Sequence, residues 1–189
     1  MSSEIKPRQI QTPLSAGVII SLHAGDMVSL SGEIFTARDV AHRRLYEALE
    51  QGNPLPIDLR SAIIFYAAPS PTPPGKVIGS IGPTTSYRMD FFTPKLIENG
   101  LRGMIGKGSR SPAVAAAIKK YRAVYFGAIG GIAALTAKCV KKEELIAYED
   151  LGPEAVRKLT VQNLPLIVVN DAWGANLYQE AQNRWRIQG

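Results

Sequence analysis

Thr84 and Arg88, four positions apart, and Lys107, flanked by two glycines, are the residues whose types and spacing suit chemistry on an anion. They stand in Gly82-Pro83-Thr84-Thr85-Ser86-Tyr87-Arg88-Met89-Asp90 and, one supersecondary unit later, in Gly106-Lys107-Gly108-Ser109-Arg110-Ser111. The Gly-Pro turn leaves a strand-like run at residues 77–81, and three successive hydroxyls can cap a helix beginning near Tyr87. Backbone N–H groups at such a start favour an anion, to which Arg88 would add a planar, bidentate contact. Lys107 brings a compact positive charge to a strand exit where glycines permit close backbone approach. The spacing is not that of a P-loop. Taken one at a time, helix capping and a solvated lysine explain the two motifs; together they suit a pocket for a small dicarboxylate.

A third segment, Arg38-Asp39-Val40-Ala41-His42-Arg43-Arg44, opens a helix and places Arg38 and His42 on one face. An arginine in a first turn opposes the helix dipole unless an anion accompanies it. Asp39, Glu33 or a substrate carboxylate would serve. His42 fits a structural role better than that of a base. Gly127-Ala128-Ile129-Gly130-Gly131 follows a strand without the dinucleotide-binding glycine pattern, and suits close passage of backbone by a pocket or another chain. Trp173 suits an interface anchor or a core edge equally, and Cys139 a small buried hydrophobe.

The elements that must position these residues alternate in type. Strand-like runs fall at residues 27–31, 62–67, 76–80, 101–105, 123–126 and 166–169. A helix is expected over residues 38–51, with Ala41, Leu45, Ala48 and Leu49 on one side and Gly52 as its stop. Ser111-Pro112 caps and opens a second helix, residues 130–139 suit a short third one, and the tail beyond Asn176 suits a polar fourth. Prolines break the chain at residues 53–56 and 70–75. The alternation predicts an α/β fold, and one domain over residues 1–189 is the simplest organisation.

Composition narrows the functions. The formal net charge of +6 suits an anionic small molecule or a nucleic acid. Without a dense Lys/Arg run or interleaved aromatics, no nucleic-acid partner is expected. The apolar runs are far too short to cross a bilayer, and residues 1–11 lack the apolar core of a secretory signal, so a cytoplasmic location is expected. One cysteine and two histidines, His23 and His42, make a metal centre built from this chain alone improbable.

Beyond these local arguments, the Gly82–Asp90 and Gly106–Ser111 motifs closely resemble class I fumarate hydratases, specifically their C-terminal domain or separate β subunit. So do Ser31-Gly32-Glu33-Ile34-Phe35-Thr36-Ala37-Arg38-Asp39, His42-Arg43-Arg44, Leu151-Gly152-Pro153-Glu154-Ala155 and residues 170–176. L-tartrate dehydratase β subunits are members of the same family. The resemblance implies a mixed-sheet, swivelling β/β/α three-layer domain and reversible hydration of fumarate to L-malate. It further implies a four-iron four-sulfur cluster, held by three cysteines of the α part, whose open iron acts as a Lewis acid. The single cysteine here is at none of those positions, so the resemblance assigns the cluster to a separate α subunit within a hetero-oligomer, without which this chain would be inactive. Carried over by motif, Thr84 would be the base at malate C3, while Arg38, Arg88 and Lys107 would bind carboxylates. Ser86-Tyr87 departs from the Thr-Thr-Ala-Gly-Arg pattern commoner in single-chain enzymes and is similar to two-subunit forms, including tartrate dehydratases. The Gly108–Ser111 stretch is similar to the fumarase version. Fumarate is therefore the favoured substrate, with L-tartrate dehydration or non-catalytic dicarboxylate binding as alternatives.

Overall fold

Apolar residues at alternate positions make strands that must be covered on each apolar face, and here two layers do the covering. The computed structural model describes residues 6–186. In chain order the elements are β1 (Arg8–Gln11), α1 (Ala16–Ile20), β2 (Met27–Thr36), α2 (Asp39–Glu50), β3 (Ile63–Phe65), α3 (Thr93–Glu98), β4 (Gly103–Gly106), α4 (Pro112–Tyr121), β5 (Val124–Gly127), α5 (Ala133–Cys139), β6 (Val140–Ala147), β7 (Val156–Asn170) and α6 (Leu177–Trp185). Two 3-10 turns, Ser86–Met89 and Glu149–Glu154, punctuate the loops.

Strands β1 to β5 pair in parallel in sequence order, and β7 pairs antiparallel with β5, β6 and β2. The long β2–β7 ladder, from Met27 opposite Ile167 to Thr36 opposite Arg157, closes the mixed sheet on itself. Inside the closure, Leu30, Ile34, Ile63, Phe65, Ile105 and Phe126 meet Leu159, Val161, Leu164 and Leu166 in one core. The alternate residues Ile64, Tyr66, Met104 and Tyr125 point the other way, into a second core roofed by α2, α3 and α4. The layers are thus antiparallel strands, parallel strands and helices, the β/β/α arrangement. Burying one leucine such as Leu45 of α2 contributes about 2–3 kcal/mol, so the helical roof is held mainly by its apolar underside.

Local chemistry sets the helix ends. Ser111 accepts a hydrogen bond from the Val114 N–H and Pro112 occupies the first turn of α4, as its sequence requires. Helix α2 begins at Asp39, one residue later than expected, with Arg38 as the residue before it. Among the described residues no helix is long and apolar enough to cross a membrane. The sequence reading of residues 1–5, at the start of the polar segment, lies outside the described residues.

Three expectations change. Residues 76–80 are not a strand but part of a long loop between β3 and α3. Ile78 and Ile81 are buried in it as plugs, and a side chain at Gly79 would overlap the Ser70 carbonyl, so the loop folds back on its own proline-rich arm. Strands β1 and β6 and the first half of β7 were not expected. In β7 the inward phase shifts from odd to even numbers across Asn163, whose φ of 54° and pairing shift mark a bulge. That shift breaks the alternation on which sequence reading depends. The helix expected near Tyr87 is only the 3-10 turn, and Thr85 makes no side-chain cap bond there.

Candidate active site at the carboxyl edge of the parallel strands

In α/β folds, open or closed, ligands gather where parallel strands end and their loops diverge. The same edge collects the residues singled out here. Leaving β2, the chain passes Ala37 to Arg38; leaving β4 it reaches Lys107; leaving β5 it enters the glycine-rich loop. The long loop after β3 returns to this edge. The Thr84 N–H donates to the Tyr66 carbonyl at 2.7 Å, and the Thr84 carbonyl accepts from the Lys107 N–H at 3.3 Å. Thr85 and Lys107 form an isolated parallel bridge, reinforced by the Ser86 N–H donating to the Lys107 carbonyl at 2.9 Å. Threonine and lysine are therefore joined by backbone. Gly106 is required at this junction, because a Cβ there would overlap the Ser86 hydroxyl.

Beneath this edge lies a buried polar staple. Arg110, 7% exposed, donates through Nε to Asp90 at 2.7 Å, through Nη1 to the Tyr66 hydroxyl at 3.2 Å and through Nη2 to Thr93 at 2.9 Å. Its guanidinium lies over both the Tyr66 and Tyr125 rings, at 5.1 and 4.9 Å from their centroids. Burial opposes the Arg110 charge, but Tyr66, Asp90 and Tyr125 outweigh it and hold the group above its ordinary value. The Tyr125 hydroxyl donates to the Gly108 carbonyl at 2.9 Å, which leaves its oxygen to accept from Ser86 at 2.8 Å. Burial also pushes the Tyr125 phenol well above the usual tyrosine range. The staple ties the loop carrying Lys107 to the turn carrying Arg88.

Above it, the charges are accessible. Arg88, with 39% of its side chain exposed, donates from Nη1 to the Thr84 hydroxyl oxygen at 3.3 Å and from Nη2 to Asp39 at 2.7 Å. Arg38 directs its Nε to Asp39 at 3.2 Å and to Glu154 at 3.3 Å. The anion expected beside Arg38 is thus Asp39, joined by Glu154, whereas Glu33 pairs with Lys158. Lys107 is exposed and enters no ion pair among the described residues. Its stem runs toward Gly130, where an added Cβ would stand 3.9 Å from the lysine Cδ, so the glycine-rich loop borders the site. A shallow concavity of about 190 Å³, lined by Asp39, Val40, Arg43, Arg88 and Phe92, adjoins Arg88. A larger one, about 410 Å³, lies between residues 73–80 and α5 and contains none of these groups.

His42 is fully buried, with Nδ1 3.3 Å from the Arg38 carbonyl and its ring edge-on to Tyr66 at 5.0 Å. Burial lowers its pKa from 6.5 to about 3, so it is neutral at ordinary pH and braces the residue before α2. Cys139 is half-buried rather than buried, and burial raises its pKa. Among the described residues no group of three or more His, Cys, Asp or Glu could hold a metal ion, and this donor set does not fit an iron–sulfur cluster. Trp173 is exposed at the surface, its Nε1 donating to the Ile20 carbonyl while Arg122 stacks on its ring. Sequence reasoning missed Glu154, Arg110, Asp90, Tyr66 and Tyr125. Arg110 and Asp90 carried a signal as charges inside the two motifs, and Glu154 as a charge inside the Leu151–Ala155 motif, whereas the two tyrosines carried none.

Fold and edge together define a β/β/α domain with a cationic, hydroxyl-bearing face at the ends of its parallel strands. Residues 2–181 match the Fumarase C-terminus family, and the chain belongs to that family. It is 40% identical over 157 residues to the aerobic class I fumarate hydratase of Escherichia coli, covering 82% of this chain and 29% of that one. It is 42% identical over 155 residues to the mitochondrial fumarate hydratase 1 of Leishmania major, covering 81% and 28%. The L(+)-tartrate dehydratase subunit beta of Escherichia coli is 36% identical over 176 residues, covering 90% of this chain and 86% of that one. The chain thus spans under a third of the fumarate hydratases it matches and most of the dehydratase subunit.

Proposed function

We propose that this chain is the β subunit of a two-subunit hydro-lyase that interconverts fumarate and L-malate. The observation that carries the proposal is the linked cluster in which Arg88 joins Thr84 to Asp39 and Arg38, with Lys107 bonded to the Thr84 backbone. Thr84 takes the proton from malate C3. A threonine hydroxyl is a poor base at neutral pH; the guanidinium at its oxygen favours the alkoxide form, which returns to the hydroxyl by taking the C3 proton. Arg38, Arg88 and Lys107 bind the substrate carboxylates and stabilise the negative charge that builds on one of them as the C3 proton leaves. Local charge favours a dianion, since Arg38 and Arg88 are paired with Asp39 and Glu154 while the Lys107 charge has no ion pair among the described residues.

The iron–sulfur cluster that such an enzyme uses is assigned to a separate α subunit, because the donors of this chain do not fit it. The dehydratase-subunit match across most of both chains supports the two-chain organisation and residues 1–189 as one β-subunit domain. Activity is expected only in the hetero-oligomer, in the cytoplasm. That same match supports a second reading, in which the substrate is L-tartrate. The test is co-expression with a cluster-bearing α partner, anaerobic reconstitution and parallel assay of both substrates. Fumarate hydration that requires both chains upholds the proposal. Preference for L-tartrate transfers the same roles to the second reading, and a loaded complex inactive on both leaves only dicarboxylate binding.

A further inference from the structure

The hydro-lyase reading names a base and three cations; resting on it, we infer that Asp39 is the residue that positions Arg88 on Thr84. Asp39 opens α2, a helix of twelve residues, whose first turn fixes its place. One oxygen, Oδ2, accepts from both Arg38 Nε at 3.2 Å and Arg88 Nη2 at 2.7 Å. The other fork of Arg88, Nη1, then falls 3.3 Å from Thr84 Oγ1. Asp39 thus sets the rotation of a long side chain that is otherwise 39% exposed. Holding such a side chain in one rotamer opposes its rotamer entropy, and the short charge-assisted bond to Asp39 supplies the restraint.

Asp39 does not itself reach the threonine, so it acts through Arg88. It also counts as one negative charge between two arginines, in competition with a substrate dianion for the same guanidiniums. These two effects have opposite signatures. Without Asp39 the donor leaves Thr84, so the proton-transfer step slows. The freed guanidinium meanwhile can turn to the substrate, so ground-state binding does not weaken. A helix-start acid of purely structural value would move neither quantity selectively.

The experiment uses the reconstituted two-chain enzyme with fumarate and L-malate. Asp39→Ala is expected to lower kcat about 10- to 100-fold while KM stays level or falls, with Asp39→Asn, which keeps one acceptor oxygen, recovering part of the rate. In an Arg88→Ala background the same Asp39→Ala change is expected to lower kcat no further, because its lever is already gone. A kcat within about twofold of the parent, a raised KM at constant kcat, or a full additional loss on the Arg88→Ala background would overturn the inference. The isolated chain gives a second readout that separates this inference from the functional reading. The NMR signals of the Arg88 guanidinium should show slow rotation about its Nε–Cζ bond in the parent and fast rotation in Asp39→Ala. Unchanged rotation overturns the positioning role even if the complex hydrates nothing, whereas an inactive parent complex with the expected NMR change overturns only the hydro-lyase reading.

Discussion

Two charged networks sit a few residues apart, and they are built to opposite ends. The Arg110–Asp90 staple is sealed, with side chains 0% and 10% exposed, and every nitrogen of its guanidinium has a partner. The Arg38–Asp39–Arg88 cluster is open, and of the three nitrogens of the Arg38 guanidinium only Nε is engaged by the chain among the described residues. Lys107 beside it has no ion pair there. A sealed network keeps shape, because removing one partner strands a charge in an apolar setting. An open one keeps unspent donors, which is what a ligand requires. The difference teaches where to look for function: at the charges left incompletely satisfied, above those that are complete.

The contrast can be broken by mutation, beginning with its largest expected effect. Arg110→Ala should cost about 3–5 kcal/mol of folding stability by chemical denaturation, since the Asp90 carboxylate, only 10% exposed, would lose its counter-charge and keep only the Ser111 N–H. Arg38→Ala, from the open network, should change stability by less than about 1 kcal/mol. Equal losses would erase the distinction. Lys107→Ala should leave the fold intact and raise KM for fumarate about 10- to 100-fold, the worth of about 1.5–3 kcal/mol for a charged hydrogen bond. An unchanged KM would remove the lysine from the site.

A smaller, pH-dependent effect sharpens the same comparison. His42 has a folded pKa near 3 against an ordinary 6.5, so the unfolded chain binds its proton first as pH falls. Its contribution to stability is therefore complete above pH 6.5 and is lost progressively below it, by up to about 1.4 kcal/mol per pH unit. Between pH 6.5 and 5, above the main carboxylate range, His42→Gln should flatten the stability profile. An identical slope in that variant would show the histidine to be titrating freely.

How much of this was legible follows from which signals are local. Helix α2 was visible to within one residue at each end, because Ala41 and Leu45 keep helical spacing, and α4 announced itself through Ser111-Pro112. Strand β6 was not visible: it lies at an edge, its run Val-Lys-Lys-Glu-Glu-Leu-Ile-Ala is largely exposed, and no alternation survives. Residues 76–80 misled in the other direction, since Ile78 and Ile81 are apolar for the sake of plugging a loop. In the site, the four-residue spacing and the glycine-flanked lysine marked Thr84, Arg88 and Lys107. Glu154 stood in the Leu151–Ala155 motif, but nothing local tied that distant 3-10 turn to Arg38, which it meets only in the fold. Tyr66 and Tyr125 looked like core because they are core; their hydroxyls matter only once the strands align them under the edge.

The central claim is that Thr84, held at this edge by Arg88, is the base. The most direct measurement is turnover of the Thr84→Ala variant in the reconstituted two-chain enzyme, with the fold checked by thermal melting. Loss of kcat by about 10²- to 10⁴-fold, with KM and melting temperature little changed, is the predicted result. Near-normal turnover in a folded, cluster-loaded complex would contradict it and move the base off this chain.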